Sequence, residues 1–246
     1  MKDSVALLIP GNMCDARMWR GSDDVIIRTL AANFGTQPRN ADTFRYDSIA
    51  AMARRALDST SGPLLPVGFS MGAIIAVEIA LMAPDRVSGL ILSGYNASGD
   101  LPERARNRII QQKSVANGEL DRILIEELKP NYLAQANKEK PELLDLLFDM
   151  AISAGPQIFL QQSEALRLRE DRIAHLSRLN IPILYVAGHE DSLCPPEWHR
   201  RWARLTRCSS MIEIMDAGHM TPLEQPTIFA QEIANWIEQN SERKAA

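Results

Sequence analysis

Gly68-Phe69-Ser70-Met71-Gly72 decides how this chain is read. An apolar run, residues 64–67, stands before it, and an alanine- and isoleucine-rich run, residues 73–83, follows. The first predicts a buried strand and the second a packed helix, so the pentapeptide is a strand–turn–helix corner. In that setting G-x-S-x-G is a nucleophile elbow. Glycines on either side let strand and helix close on each other around a serine at the tip of a tight turn. The Ser70 hydroxyl is then expected above the sheet edge, with the N–H of Met71 facing whatever that hydroxyl attacks. Pro66 falls inside the preceding run. A central strand cannot spare its N–H, so Pro66 is expected at the first residue of a short strand.

Outward from this corner, strands and helices alternate. Val5–Ile9 is wholly apolar and is closed by Pro10-Gly11, as a strand buried on both faces of a parallel sheet would be. Residues 25–34 have helical spacing, and residues 36–43 read as a weak extended segment. Asp47 is the N-cap candidate for a helix over residues 48–57, where Ile49, Met52, Ala53 and Leu57 share a face. A strand over 87–93 ends at Ser93-Gly94. Strand signals then vanish from about residue 98 to 171, where helical stretches are punctuated by Gly118, Pro130, Pro141 and Gly155-Pro156. Alternation resumes with a strand over 181–187, a helix over 197–205, a strand over 210–215 and a helix over 228–239. Residues 241–246 read as a frayed tail. The pattern implies an α/β fold, a mainly parallel sheet with right-handed crossovers and helices on both faces. Residues 1–97 and 172–246 are expected to form its core, and residues 98–171 a helical cap or lid over the C-terminal strand ends, where ligands bind in open α/β sheets.

A serine hydroxyl is a weak nucleophile at neutral pH. It needs a base, and the base needs an orienting carboxylate. Of the four histidines, His219 follows the strand over 210–215 on the same sheet edge as Ser70 and is the candidate base. His189, just past the strand over 181–187, is the rival. His175, in a helical stretch, and His199, in an arginine-rich helix, read as surface or solvated residues. The carboxylate belongs between serine and histidine in chain order. Asp191 qualifies, in a post-strand loop stiffened by Pro195-Pro196; Glu190 and Asp216 are the alternatives.

With Ser70, Asp191 and His219 each beyond a strand end, the chain resembles the α/β-hydrolase superfamily over nearly its whole length. Leu8-Ile9-Pro10-Gly11-Asn12 stands where members commonly have a strand ending in His-Gly-x, and Pro10 replaces that histidine. Gly188 to Pro195 matches the acid loop, and Gly218-His219-Met220 with Glu224-Gln225-Pro226 the histidine loop. Ala73 replaces a frequent second glycine. The resemblance is to a shorter bacterial subgroup without the two N-terminal antiparallel strands, so a sheet of about six strands is expected. It implies hydrolysis of an ester, lactone or related acyl bond through an acyl-enzyme on Ser70, with no cofactor. The oxyanion would be held by the N–H of Met71 and that of Asn12, or of Met13 after a small loop shift. Cys14 reads as a buried structural thiol.

Bulk properties restrict the partners. The chain has 246 residues, 46% apolar and 24% charged, with a net charge of −4. That balance gives no nucleic-acid footprint. Arginine clusters (Arg104, Arg106, Arg108; Arg200, Arg201, Arg204, Arg207) have acids nearby and read as solvated helix faces, although Arg104, Arg108 and Arg167 could clamp an anion. Three scattered cysteines suit a reducing compartment, and no apolar run approaches membrane-span length, so a cytoplasmic protein is expected. Leucines and phenylalanines in the insertion, Phe148 and Phe159 among them, suggest a small-molecule substrate with an apolar portion. No metal is expected: His189, Cys194 and His199 lack a spaced acidic or second cysteine partner. Two other readings remain. The same three residues support C–C bond hydrolysis or lyase chemistry, and the fold also serves low-turnover small-molecule receptors. The aspartate-nucleophile dehalogenases and epoxide hydrolases of this superfamily are argued against by Ser70.

Overall fold

The computed structural model describes residues 3–128 and 131–242. Pro130 and the tail beyond residue 242 lie outside the described residues. Six strands form one sheet in the order β2-β1-β3-β4-β5-β6: β1 Val5–Ile9, β2 Arg39–Asn40, β3 Leu64–Phe69, β4 Leu90–Ser93, β5 Ile183–Gly188 and β6 Ser209–Ile214. Every pairing is parallel. The central strands are buried throughout and mostly apolar because helices cover both faces, and successive side chains go to opposite sides. Leu7 and Ile9 enter one core, with α2 (Ile49–Asp58), α3 (Met71–Met82) and Trp202 of α8 (Pro196–Leu205). Ala6 and Leu8 enter the other, with α1 (Gly21–Phe34) and α10 (Pro226–Glu242). The regular part of α1 starts at Val25, as its spacing predicts, because Ser22, Asp23 and Asp24 have left-handed φ values of 45°, 56° and 60°.

Two local expectations are corrected. Pro66 is the third residue of β3 and pairs with Leu7 of β1. Its missing N–H is tolerated because the neighbour on its other side bulges there. Leu64 bridges Val87, ahead of β4, and the ladder resumes at Val67 with Ile91, so four steps from Val87 to Ile91 oppose three along β3. The cap of α2 is Ser48, one residue beyond Asp47; its Oγ accepts the Ala51 N–H at 3.3 Å.

Between β4 and β5 the chain runs through α4 (Pro102–Ala116), α5 (Leu120–Arg122) continuing as a π turn (Ile123–Leu128), α6 (Pro141–Arg167) and α7 (Ile173–Leu176). The short α9 (Thr221–Glu224) follows β6. Among the described helices, α6 alone is long and apolar enough to cross a membrane, a length that inspection of the sequence had not found. Its backbone breaks at Gly155, whose φ is 81°, just before Pro156. Its residues also serve three cores: Leu147 and Met150 join the α1/α10 side, Ala165 and Leu166 the α2/α3 side, and Phe159 a third cluster with Met13, Val115 and Ile123. This helix is the fold's main brace across the strand ends.

Candidate active site

Strand order reverses at β1, since β2 lies on one side of it and β3 on the other. Ligands in open α/β sheets bind at such a switch point, and Ser70 stands there, at the end of β3. Its φ of 53° and ψ of −114° are strained for a residue with a side chain. The strain is held by Ser70 N–H donating to Ser93 O at 2.8 Å and by Ala73 and Ile74 N–H donating to Ser70 O at 3.0 and 3.3 Å. Side chains are excluded on both sides: a Cβ on Gly68 would overlap Gly72 and Ala73 backbone, and one on Gly72 would overlap the carbonyls of Ile9 and Pro10.

His219 reaches this serine. Its Nε2 lies 2.9 Å from Ser70 Oγ and its Nδ1 lies 2.8 Å from Asp191 Oδ2. The other carboxylate oxygen of Asp191 accepts the N–H groups of Leu193 and Cys194 at 2.9 and 2.8 Å. Burial pushes the Asp191 carboxyl up, but the facing His219 and the Cys194 amide outweigh it and hold it below the usual carboxylate value. The Phe69 ring packs beside the imidazole, 5.0 Å between centroids. Glu190 instead accepts the Gln135 N–H at 2.9 Å, and Asp216 is exposed, so neither alternative carboxylate takes the place of Asp191.

The histidine loop is fastened by groups that sequence reading did not assign. His219 N–H and Met220 N–H both donate to Tyr132 O, at 2.8 and 3.3 Å. Glu224, 6% exposed, gathers the N–H groups of Ala134, Gly218 and Met220 and the amide of Asn137. Burial raises its carboxyl above the ordinary value against the pull of those donors. An acid in the motif after His219, on an otherwise apolar turn, was its only signal.

Asn12 and Met71 line the same cavity as Ser70, about 250 Å³ in volume. Neither backbone N–H has a hydrogen-bond partner among the described residues. Met13, the alternative donor, is spoken for. Its φ is 56° and its N–H donates at 2.8 Å to Oε1 of Gln162, a fully buried residue of α6 whose Nε2 donates to Thr43 O at 3.3 Å. Nothing local in sequence marks Gln162, which acts across 149 residues.

The remaining candidates separate. His189 is half exposed and pairs with Glu213 at 2.6 Å, away from Ser70. His199 is buried, not solvated: its Nε2 accepts the Tyr95 N–H at 2.9 Å, and burial lowers its pKa to about 4. The two therefore build no zinc site with Cys194. Cys194 does lie near Asp191 and His219, all three ligating atoms within 4.8 Å, but both imidazole nitrogens already face Ser70 and Asp191. Burial pushes the Cys14 thiol up to about 12 and raises Cys194 as well, as inert structural thiols require. Phe148 and Phe159 do not line the cavity; α4 presents Arg104, Asn107, Arg108 and Gln111 to it instead.

A strained serine between strand and helix, joined to a histidine and an aspartate past later parallel strands, is a hydrolase arrangement. The chain belongs to the alpha/beta hydrolase family, whose sequence model matches residues 6–232. It is similar to a thermophilic esterase from Thermogutta terrifontis, described with malate bound, at 27% identity, with a TM-score of 0.85 over 96% of this chain and 90% of that one. It is also similar to the pimeloyl-(acyl-carrier protein) methyl ester esterase of Yersinia pseudotuberculosis, 25% identical over 78% of this chain and 76% of the relative. The enol-lactonase from Burkholderia xenovorans shares the fold, with a TM-score of 0.73 at 18% identity over 96% of this chain and 92% of that one.

Proposed function

We propose that this protein is a cofactor-independent serine hydrolase that cleaves a carboxylic ester, lactone or related acyl bond. The observation that carries the reading is the chain of hydrogen bonds from Ser70 Oγ through His219 to Asp191, in a cavity flanked by the unpartnered Asn12 and Met71 amides. Ser70 Oγ attacks the acyl carbonyl while His219 Nε2 takes its proton. Asp191 keeps the imidazole in the right tautomer and stabilises the imidazolium. The Asn12 and Met71 N–H groups receive the developing oxyanion; losing one such donor costs roughly 3–4 kcal/mol of transition-state stabilisation. His219 passes its proton to the leaving alcohol, then activates the water that releases the acid. Esterases among the similar proteins support the bond class.

Residues 98–171 serve in this reading as the cap over the cavity, and residues 1–97 and 172–246 as the core. The unpaired Cys14, Cys194 and Cys208 fit a reducing, cytoplasmic setting. The test is hydrolysis of 4-nitrophenyl esters of increasing chain length, lactones and acyl thioesters, each beside Ser70→Ala. Turnover that persists in Ser70→Ala, or its absence on every acyl class, would overturn the proposal.

A further inference from the structure

The wall of the cavity opposite the sheet is cationic. Arg104, Asn107, Arg108 and Gln111 share one face of α4 at i, i+3, i+4, i+7 spacing and line the cavity, as does Arg169. Few carboxylates answer these arginines. Asp100, with its side chain 1% exposed, lies between two of them: Arg108 Nε donates to Oδ2 at 2.9 Å, and Arg169 Nη1 stands 2.9 Å from Oδ1. Arg169 gives three further N–H groups to the carbonyls of Ser98, Leu166 and Gly99. Arg108 has no further partner among the described residues, so its outer nitrogens are unspent. Arg104 has no carboxylate partner among them. Its Nη2 donates to Leu193 O at 3.2 Å and its guanidinium lies 5.7 Å from the centre of the Trp198 ring. Asp100 itself is not part of the lining, and Glu127, the acid that is, is taken by Arg122 and Gln111.

Two guanidiniums held in place, one without a counter-charge and one sharing its own, favour an anion in a partly enclosed site. Their planar forks match a carboxylate. We infer that this cavity takes esters that carry a carboxylate away from the scissile bond, half-esters of short dicarboxylic acids being the simplest, and that Arg104 and Arg108 receive that carboxylate. The inference rests on the hydrolase reading above and narrows its substrate. Arg167, which the sequence also offered, is paired with Glu164 outside the lining.

The experiment compares mono-(4-nitrophenyl) glutarate with 4-nitrophenyl 5-methylhexanoate, a neutral ester of the same shape. The wild-type kcat/KM ratio should favour the charged ester by at least about tenfold, weakening with added salt. It should fall by about tenfold, mainly through KM, in Arg104→Gln and in Arg108→Gln, and stay unchanged in Arg167→Gln. A wild-type ratio near one, or a ratio untouched by both α4 variants, overturns the inference. Calorimetry with glutarate reads the same pair without turnover, and so separates a failed clamp from a failed hydrolase. Glutarate should bind the wild type at least about tenfold more tightly than inorganic phosphate does, and more weakly in either α4 variant. No binding, binding insensitive to those variants, or equal binding of phosphate overturns the assignment.

Discussion

Asp191 shows at the level of one residue how the site depends on an unreactive group. Two backbone amides and one imidazole fix its carboxylate, and so fix which nitrogen of His219 faces Ser70. Asp191→Asn is expected to keep the fold but lose about four orders of magnitude in kcat. Asp216→Asn, on an exposed residue, should leave the rate near that of wild type; the reverse outcome would assign the carboxylate wrongly here. Stability has an acid limb. The folded pKa of Asp191 lies below its unfolded value, so its contribution is complete above about pH 4 and is lost as pH falls through the folded value. His199 acts earlier. Its folded pKa is about 4 against 6.5 for a free histidine, chiefly through burial, with Asp191 and His219 as the titratable groups facing it. Between those values the unfolded chain takes a proton that the native state refuses, so stability declines as pH falls through the window, by about 3 kcal/mol at most. Urea midpoints measured from pH 7 to 4 should show this decline, and His199→Gln should flatten it. An unchanged slope would mean that another group titrates.

Among the elements, α6 does more than contribute Leu166 to the cavity lining. Gln162→Ala strands the buried Met13 N–H, at a cost of about 1–3 kcal/mol. It also frees the loop that presents Asn12, so kcat should fall while KM for a small ester stays nearly constant. A lowered melting temperature with kcat intact would reduce Gln162 to packing. Phe159 is 2% exposed in the third cluster, with Met13, Val115 and Ile123, and Phe159→Ala should cost about 3–5 kcal/mol of stability without changing selectivity across ester chain lengths. These elements also mark what the sequence could reveal. The Ser70 corner was legible because glycine spacing and apolar runs are local signals, and the juxtaposition of the three candidate residues was legible because each follows a readable strand. Pro66 was misplaced because the bulge that accommodates it belongs to the neighbouring strand. His199 was misread because arginines crowd its helix while its own side chain faces inward. The polar lining from α4 was hidden for a related reason: a face of arginines looks the same in sequence whether it meets water or a cavity. Gln162 carried no role in sequence, and Glu224 only a place in the histidine-loop motif, because Met13 and Thr43 for the one and Ala134 and Asn137 for the other are brought up only by the tertiary fold.

For the molecule as a whole, the proposed chemistry asks nothing of a metal, so EDTA should leave ester turnover unchanged; a loss that zinc restores would favour a metal-dependent reaction. Among its ties to the core, the helical segment between β4 and β5 is moored to two loops of the site. Tyr132, Ala134 and Asn137 tie it to the histidine loop directly or through Glu224, and Gln162 ties it to the Asn12 loop. Swinging this segment outward would therefore unseat the imidazole and the Asn12 loop in the same stroke. Hydrogen exchange should report this as a single event, with the amides of Met13, Ala134, Gly218 and His219 released together; separate rates would show independent moorings. The enzyme would then be its own safety catch: whenever it gapes it is disarmed, and the serine is primed only against a guest already shut inside.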